Sequence, residues 1–246
     1  MPVQTTTRAF LLTDFGLDKI VSQNRQLAVL GAHDVLVSMK AASLNFRDLM
    51  VIKGLYSRNL KLPLVPLSDG AGEVIEVGAS VTRFKRGDRV TPTFMQSWIA
   101  GSLDKAAVKS ALGGAIDGVL QNEALFHEDG LVHIPAHLSF EEAATLPCAA
   151  LTAWNALLET GSIIAGNKVL TLGTGGVSIF ALQFAKAAGA QVFITSSSDE
   201  KLGRAKKLGA DICINYAANP DWEKPLLAWA GGGGVAVGDV GGVGGV

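Results

Sequence analysis

A glycine-rich turn lies between two apolar segments in the second half of the chain. The residues GTGGVS, 173–178, follow the apolar run KVLTL and open the helix-like segment VSIFALQFAKAAG. Glycines at a strand-to-helix turn let the backbone approach a pyrophosphate, and the free N–H groups and dipole of the helix favour its negative charge. The turn therefore predicts a dinucleotide-binding site formed by Gly173, Thr174, Gly175, Gly176, Val177 and Ser178.

The end of the next strand indicates which dinucleotide the site prefers. An NAD-type site places a carboxylate on the ribose 2′-hydroxyl about 20 residues after the first glycine. Here the segment reads ITSSSDEK, with Ser196 at the position of the acid and Ser197 beside it. Because nothing repels a 2′-phosphate while Lys201 and Arg204 offer positive charge, NADPH is favoured and NADH is possible. The alternative is that Lys201 and Arg204 only lie on a solvated helix face.

The cysteines and histidines have no arrangement typical of a metal site. Cys148 and Cys213 are the only cysteines and are far apart in sequence, so they form no Cys-x-x-Cys pair. His133 and His137 are separated by Pro135, which is incompatible with a regular helix, and in an extended chain they would lie roughly 13 Å apart. No histidine near Cys148 in sequence could activate it as a nucleophile, so we expect a buried thiol there.

The two halves of the chain follow different patterns of secondary structure. Residues 1 to about 160 contain short strands broken by turn residues and glycines, as in a curled, barrel-like sheet. The segment from Ser97 to Val132 has only a weak, loop-like pattern. After Gly161 the order strand, glycine turn, helix, strand, helix, strand is typical of a parallel sheet. We therefore predict an α/β protein with two domains, residues 1–160 and 161–246.

Capping signals and apolar periodicity predict where several helices begin, end and pack. Ser139 and Glu142 have the spacing of a capping box, Pro147 forces a restart, and the following helix ends at Gly161. The helix after the glycine turn is expected to direct one face to the sheet, formed by Val177, Phe180, Ala181, Phe184 and Ala188. The inward residues expected of the next helix are Leu202, Ala205 and Leu208.

Composition and charge exclude several classes of protein. With 246 residues, 48% hydrophobic and 17% charged, the chain can bury a sizeable core. The formal net charge of −1 and the lack of a dense Lys/Arg block argue against nucleic acid as a partner. No signal-peptide pattern and no bilayer-spanning apolar run is found, so we expect a cytoplasmic protein that does not bind membranes. The glycine- and valine-rich segment after residue 230 has too little sequence information to interpret.

Several further segments occur in a fixed order between about residue 8 and residue 225. They include LNFRDLMVIKGLY, PLVPLSDGAGEVIEVG, FKRGDRV, LSFEEAATLPCAALTAWNAL and GTGGVSIFALQFAKAAGA. Together they resemble the zinc-independent quinone oxidoreductase branch of the medium-chain dehydrogenase/reductase superfamily. The resemblance implies a GroES-like β-barrel-type domain over residues 1–160 and a Rossmann doubly wound parallel sheet over residues 161–246, whose C-terminal part is incomplete. It also implies an active site in the cleft between the domains and a homodimer.

The resemblance assigns roles to individual residues. Asn45, Asp48 and Tyr56 would line the cleft beside the nicotinamide. Thr152 would help to hold the nicotinamide, and Tyr216 would lie beside the adenosine phosphate. Four of these residues also have structural alternatives: Asn45 as a turn cap, Asp48 as the partner of an arginine or a helix N-terminus, Tyr56 as a packed ring, and Tyr216 as the end of a strand.

The same resemblance allows the catalytic zinc site of related alcohol dehydrogenases to be compared with this sequence. Those enzymes bind zinc through an early cysteine, a histidine, and a cysteine or acid near LPC. This sequence has Asn45, Ser68 and Cys148 at the three positions. Asp69 and Asp48 are possible oxygen donors, but one thiolate cannot replace three ligands. We therefore expect no zinc.

These features together predict an NADPH-dependent oxidoreductase that transfers a hydride to a quinone or an α,β-unsaturated carbonyl without zinc. Asn45 would donate a hydrogen bond to the carbonyl oxygen, and Tyr56 would do the same or relay a proton. Met50 stands where some quinone reductases have a second tyrosine. Two alternatives stay open, an NAD(P)-dependent zinc-type alcohol dehydrogenase and a non-enzymatic NADPH-binding protein.

Overall fold

The computed structural model describes residues 6–57, 59–231 and 235–238, and the chain packs as two units. The first unit ends at Cys148 and the second begins at Ala149. This packing boundary differs from the predicted one at residue 160, because Ala153 and Leu157 are buried in the apolar core of the second unit. The predicted domain limits themselves stay a prediction.

Antiparallel strands form the framework of the first unit. In chain order they are β1 (Thr6–Leu12), β2 (Ile20–Gln26), β3 (Asp34–Ser43), β4 (Asp69–Val77), β5 (Arg89–Pro92), β6 (Glu123–His127) and β7 (Leu131–His133). Strands β1 and β2 pair with each other, and the other strands form a five-stranded sheet in the order β6-β3-β4-β5-β7. The register between β3 and β4 shifts twice, at Leu36/Val37 and at Met39/Ala41, which is how an antiparallel sheet bends.

The core of this unit is formed by alternate residues of neighbouring strands. Val35, Val37, Val74 and Val90 are completely buried, and each contributes about 1.5 to 3 kcal/mol by removing its side chain from water. A glycine is required at Gly72 on β4, because a Cβ there would overlap the backbone of β3. The close contact between β3 and β4 therefore depends on this residue.

Three short α-helices belong to the described part of this unit: α1 (Phe46–Ile52), α2 (Lys105–Val108) and α3 (Phe140–Ala144). Two single-turn 3₁₀ helices, Leu17–Lys19 and Glu128–Gly130, also lie between strands. The expectation that residues Ser97 to Val132 form only loops is wrong in part, because α2, β6 and the start of β7 lie there. Strand β6 has only five residues, too few for a period-two pattern to stand out in the sequence.

The helical residues after Ser139 follow the predicted boundaries. Ser139 Oγ accepts from the Glu142 N–H at 3.1 Å, and Glu142 Oε2 accepts from the Ser139 N–H at 2.8 Å, so the capping box is confirmed. A π-helical segment begins one residue before Pro147, continues through α4 (Leu151–Trp154), and ends in a second π-helical segment just before Gly161. The restart at the proline and the end at the glycine are both confirmed.

The second unit alternates strands and helices. In chain order these are β8 (Lys168–Thr171), α5 (Gly176–Ala187), β9 (Gln191–Ser196), α6 (Asp199–Lys207), β10 (Ile212–Asn215), α7 (Glu223–Ala230) and β11 (Val235–Gly238). The four strands are parallel in the order β10-β9-β8-β11, which is the 3-2-1-4 order of a doubly wound nucleotide-binding sheet. The predicted α/β class and parallel sheet are confirmed.

Two expectations about the second unit need correction. Strand β11 pairs with β8, so the segment after residue 230 does carry structure at residues 235–238, whereas residues 232–234 and 239–246 lie outside the described residues. Leu208 was expected to face inward, but it is 44% exposed because α6 ends before it. The other two inward residues of α6, Leu202 and Ala205, are buried as predicted.

Helix α5 is rotated relative to the predicted face. Its fully buried residues are Ser178, Ala181, Leu182 and Ala185. Of the predicted face only Ala181 is among them, and the others lie partly buried beside the core: Val177, Phe180, Phe184 and Ala188. Small side chains let the helix approach the sheet, and the larger aromatic rings pack at the side, where Phe184 contacts Trp154 edge to face at 5.5 Å. Among the described residues no helix is both long and apolar enough to span a bilayer.

Candidate active site and nucleotide-binding turn

The residue before α1 is held by the first turn of that helix. Asn45 lies at the N-cap, and its backbone N–H donates to Asp48 Oδ2 at 2.7 Å. Asp48 is 2% exposed, although a carboxylate is seldom buried to this degree without a charged partner. The predicted catalytic residues Asn45 and Asp48 are therefore in direct contact.

A second buried carboxylate begins β4. Asp69 is completely buried; its Oδ1 accepts from Ser68 Oγ at 2.9 Å and its Oδ2 accepts from the Cys148 N–H at 3.0 Å. Asp69 thus connects two of the three positions that correspond to zinc ligands in related enzymes. We call Asn45, Arg47, Asp48, Ser68, Asp69 and Cys148 the polar cluster.

Burial controls the ionisation of the polar cluster. It raises the pKa of Asp48 to about 6, and the nearby charge of Asp69 adds to the increase, while the Asn45 N–H and the charge of Arg47 oppose it. Burial also raises the pKa of Asp69. The pKa of Cys148 is raised to about 12, first by burial and then by Asp69. Cys148 is therefore a neutral thiol at physiological pH, although it is only partly buried and not fully buried as expected.

Three polar atoms of the cluster are buried and make no hydrogen bond of normal geometry among the described residues: Asn45 Nδ2, Arg47 Nε and Asp48 Oδ1. The Asn45 side chain nevertheless faces Asp69 closely enough to lower the pKa of that carboxyl, against the larger effect of burial. Buried donors and acceptors are almost always paired, because an unpaired group costs about 1 to 3 kcal/mol. Unpaired groups in one cluster are typical of a site that completes its hydrogen bonds with a bound molecule. Tyr56, the third predicted catalytic residue, follows α1 and is 46% exposed.

The residues at the zinc-ligand positions do not fit zinc. Asn45 and Ser68 offer no thiolate, imidazole or carboxylate, and the Ser68 hydroxyl is already bonded to Asp69. In the part of the chain that the structure describes, no three His, Cys, Asp or Glu side chains are close enough to hold a metal ion. His133 packs its ring 4.6 Å from that of Phe84, consistent with a histidine at a strand edge. The absence of zinc stays a prediction.

The glycine turn of the second unit leaves space for a ligand. Gly173 has φ +79°, a conformation that favours glycine, and a Cβ at Gly173 or Gly175 would meet no atom within 4 Å. Helix α5 begins directly after Gly175, so its first N–H groups have no acceptor within the helix. The turn therefore fits the pyrophosphate of a dinucleotide.

Side chains around the turn fix its shape. Thr174 Oγ1 and Ser196 Oγ lie 3.1 Å apart, and Ser196, at the end of β9, is 4% exposed. The Ser178 hydroxyl donates to Leu172 O at 3.0 Å, so it holds α5 to the end of β8 and leaves only the backbone of Ser178 for a ligand. Val177, beside it, is half-buried.

The residues expected near the adenosine are at the same end of the sheet. The Tyr216 N–H donates to Ser196 O at 3.0 Å, which places Tyr216 next to the end of β9 with 43% of its surface exposed. Ser197 and Lys201 are exposed. Arg204, by contrast, forms an ion pair with Glu200 at 2.6 Å on the solvated side of α6. This agrees with the alternative that Arg204 only lies on a solvated helix face.

The predicted site residues are divided between the two units. Asn45, Asp48 and Tyr56 belong to the first unit, whereas Thr152, exposed on α4, belongs to the second together with the glycine turn. Sequence reasoning treated Asp69 only as a possible metal ligand and Arg47 only as a possible partner of Asp48. Sequence reasoning did not predict that Asp69 and Arg47 are buried. The signal that could have indicated it is the position of both charged residues next to apolar segments of the sequence.

Comparisons with known proteins agree with this architecture. Residues 31–136 match the alcohol dehydrogenase GroES-like domain family, and residues 176–240 match the zinc-binding dehydrogenase family. The chain belongs to the medium-chain dehydrogenase/reductase superfamily, and the predicted GroES-like and Rossmann architecture is confirmed. Both families describe the fold and ancestry of the two parts of the chain.

Individual relatives have different names. A zinc-type alcohol dehydrogenase-like protein of Schizosaccharomyces pombe is 55% identical over 201 residues, which are 81% of this chain and 58% of the relative. A Pseudomonas aeruginosa quinone oxidoreductase is 36% identical over 82% of this chain and 56% of its own length. The solved structure of a putative alcohol dehydrogenase from Sinorhizobium meliloti has a TM-score of 0.85 and 41% identity, covering 94% of this chain and 68% of that one. The chain thus spans little more than half the length of the two curated relatives.

Proposed function

We propose that the full protein transfers a hydride from NADPH to a quinone or an α,β-unsaturated carbonyl without zinc. The observation that carries this proposal is the chemistry of the polar cluster: two zinc-ligand positions are Asn45 and Ser68, while a buried, unpaired donor, Asn45 Nδ2, is available in the same cluster. Relatives named quinone oxidoreductase support the acceptor class.

The cluster residues would polarise and orient the acceptor. The nicotinamide, when bound, supplies the hydride. Asn45 Nδ2 donates a hydrogen bond to the acceptor oxygen, which develops negative charge as the hydride arrives at carbon. Asp48 holds Asn45 in place through the 2.7 Å hydrogen bond to its N–H. Tyr56, with its half-exposed ring, delivers or relays the proton that completes the reduction.

The cofactor preference follows from the end of β9. Ser196 offers no carboxylate to repel a 2′-phosphate, and Ser197, Lys201 and Tyr216 complete the proposed adenosine end of the site. Because Arg204 is paired with Glu200, Lys201 supplies the positive charge. We propose NADPH as the main cofactor with NADH as the weaker one, a cytoplasmic location, and a homodimer of the full-length protein.

The second candidate is a zinc-dependent alcohol dehydrogenase, which the name of the S. pombe relative, a zinc-type alcohol dehydrogenase-like protein, favours. One experiment separates the candidates: the full-length protein is given NADPH or NADH with quinones, enones and simple aldehydes, with and without a chelator, after metal analysis. Quinone or enone reduction that prefers NADPH and survives chelation supports the proposal. One tightly bound zinc per chain with chelator-sensitive alcohol oxidation selects the dehydrogenase, and tight NADPH binding with no turnover selects a non-enzymatic binding protein.

A further inference from the structure

Arg47 is a buried cation in the polar cluster that the proposed reaction does not use. It is 3% exposed, and the carbon of its guanidinium lies over two aromatic rings, 4.9 Å from the centre of Tyr56 and 4.6 Å from the centre of Phe94. Nη1 donates to Leu112 O at 3.0 Å. Gly114 lies against the same guanidinium: a Cβ at Gly114 would overlap Nη2, so the backbone of Gly114 also restricts the position of the guanidinium.

No carboxylate neutralises this charge directly. None of the ion pairs among the described residues includes Arg47, and its Nε has no hydrogen-bond partner there. A buried charge without an ion pair costs stability, so its presence is better explained by its effect on neighbouring groups than by its own contribution to folding. Of the two aromatic rings that Arg47 contacts, the one with a proposed part in the chemistry is Tyr56.

We propose that Arg47 is a positioning residue that fixes the Tyr56 ring at the edge of the polar cluster. The guanidinium is anchored by Leu112 and confined by Gly114, and it lies over the rings of both Phe94 and Tyr56. A cation over an aromatic ring is attracted by the ring's negative face, and this attraction selects one position for a ring that is otherwise half-exposed. The role in the reaction rests on the proposed function, whereas the ring packing does not.

The charge of Arg47 also acts on the rest of the cluster. It lowers the pKa of Asp48, of Asp69 and of the Cys148 thiol, in each case against the larger effect of burial. Arg47 therefore lies close enough to influence both carboxyl groups while it contacts Tyr56 directly. This placement is expected of a residue that positions the side chains of a site without contacting the substrate.

The test follows the Tyr56 ring by ¹⁹F NMR of 3-fluorotyrosine-labelled full-length protein, with Tyr56→Phe to assign its resonance. Arg47→Met removes the cation, and Gly114→Ala displaces it while keeping the charge. The matched control is Arg89→Met, because Arg89 stacks on Phe140 at 4.6 Å in the same unit but outside the cluster. We expect the Tyr56 resonance to shift and broaden in Arg47→Met and Gly114→Ala, and to stay in place in the control.

Arg47→Lys adds a graded result, because lysine keeps the charge but cannot contact both rings and Leu112 O together. We expect it to produce a smaller shift than Arg47→Met. If the Tyr56 resonance is unchanged in both Arg47→Met and Gly114→Ala, the positioning role is wrong. For quinone reduction, Arg47→Met is expected to lower kcat about 100-fold with little change in the KM for NADPH. If the Tyr56 resonance shifts in the Arg47 variants but the wild-type protein reduces no quinone or enone, the packing role of Arg47 is supported and the proposed function is wrong.

Discussion

The polar cluster of the first unit and the glycine turn of the second are specified by the sequence in different ways. The turn is continuous, with six adjacent residues that run from just after β8 into the first turn of α5, and its shape depends on local backbone geometry. The cluster gathers residues from α1, from the start of β4 and from Cys148, and one of its hydrogen bonds joins residues 79 positions apart. A local site can be read from spacing, whereas a site assembled from distant segments needs the fold.

The two regions also differ in what is left unsatisfied. The turn presents backbone N–H groups at a helix start, next to open space. The cluster buries two carboxyl groups and leaves side-chain atoms unpaired. Substitutions in the turn should therefore change ligand binding with little effect on folding, whereas substitutions in the cluster should change stability and its dependence on pH.

The largest expected effect is on the turn. In Gly175→Val, the new side chain would occupy space where a Cβ meets no atom within 4 Å, and φ at this residue is −76°, so the fold tolerates it. We expect the affinity for NADPH, measured by calorimetry, to fall by at least about 100-fold, or about 2.7 kcal/mol, because the side chain takes the place of the pyrophosphate. Wild-type affinity would show that the dinucleotide binds elsewhere.

The second prediction concerns Asp48. Its pKa of about 6 in the folded protein is above the ordinary 3.8, so the folded state binds the proton more tightly than the unfolded chain and the protein loses stability as pH rises from about 4 through 6. Asp48→Asn removes this cost while its side-chain oxygen can still accept from the Asn45 N–H. We expect the variant to be more stable by up to about 3 kcal/mol at pH 7 and nearly equal at pH 4, measured by urea unfolding.

This result would also separate stability from activity. If Asp48 orients Asn45 only through its accepting oxygen, Asp48→Asn should keep part of the proposed reductase activity, whereas Asp48→Ala should lose it. A variant less stable than the wild type at pH 7 would show that the carboxylate is not buried as the structure describes. For Gly175→Val we expect the difference in stability from the wild type to be independent of pH, because the turn contains no titratable side chain.

These differences explain how much of the molecule could be predicted from sequence. The turn, the capping box at Ser139 and the parallel sheet follow from local patterns and were predicted. The face of α5 was not, because small residues such as Ala181 and Ala185 pack closest to the sheet while hydrophobicity alone favours Phe180 and Phe184. The partners of Asp69 could not be predicted either, since they depend on how distant segments meet.

A third buried carboxylate in the first unit gives the opposite pH response to Asp48. Glu128 accepts from His33 Nδ1 at 2.8 Å and from the N–H groups of Thr82 and Arg83 at 3.0 and 3.1 Å. These hydrogen bonds, led by that of His33, lower its pKa to about 2. The stabilisation is therefore complete above about pH 4.5 and is lost as pH falls toward 2.

Replacing this carboxylate sharpens the contrast with the polar cluster. We expect Glu128→Gln to lower Tm by roughly 5 °C at pH 7, and the difference from the wild type to shrink as pH falls below about 4.5. Thermal unfolding across this pH range, followed by circular dichroism, measures both effects. A constant difference at every pH would mean that the hydrogen-bond geometry, and not the charge, stabilises the segment.

The smallest expected effect comes from a glycine outside both regions. Gly203 lies inside α6, where a Cβ would meet no atom within 4 Å, so alanine adds no clash and removes the flexibility that glycine gives a helix. We expect Gly203→Ala to stabilise the protein by about 0.5 to 1 kcal/mol with unchanged NADPH affinity. Gly175 and Gly203 both have open space where a side chain would lie, so the two variants can be compared directly. A side chain at Gly175 should block the ligand, whereas a side chain at Gly203 should only stabilise the helix. If Gly175→Val and Gly203→Ala lowered the NADPH affinity equally, the prediction that the turn, and not the exposed glycine in α6, binds the dinucleotide would be wrong.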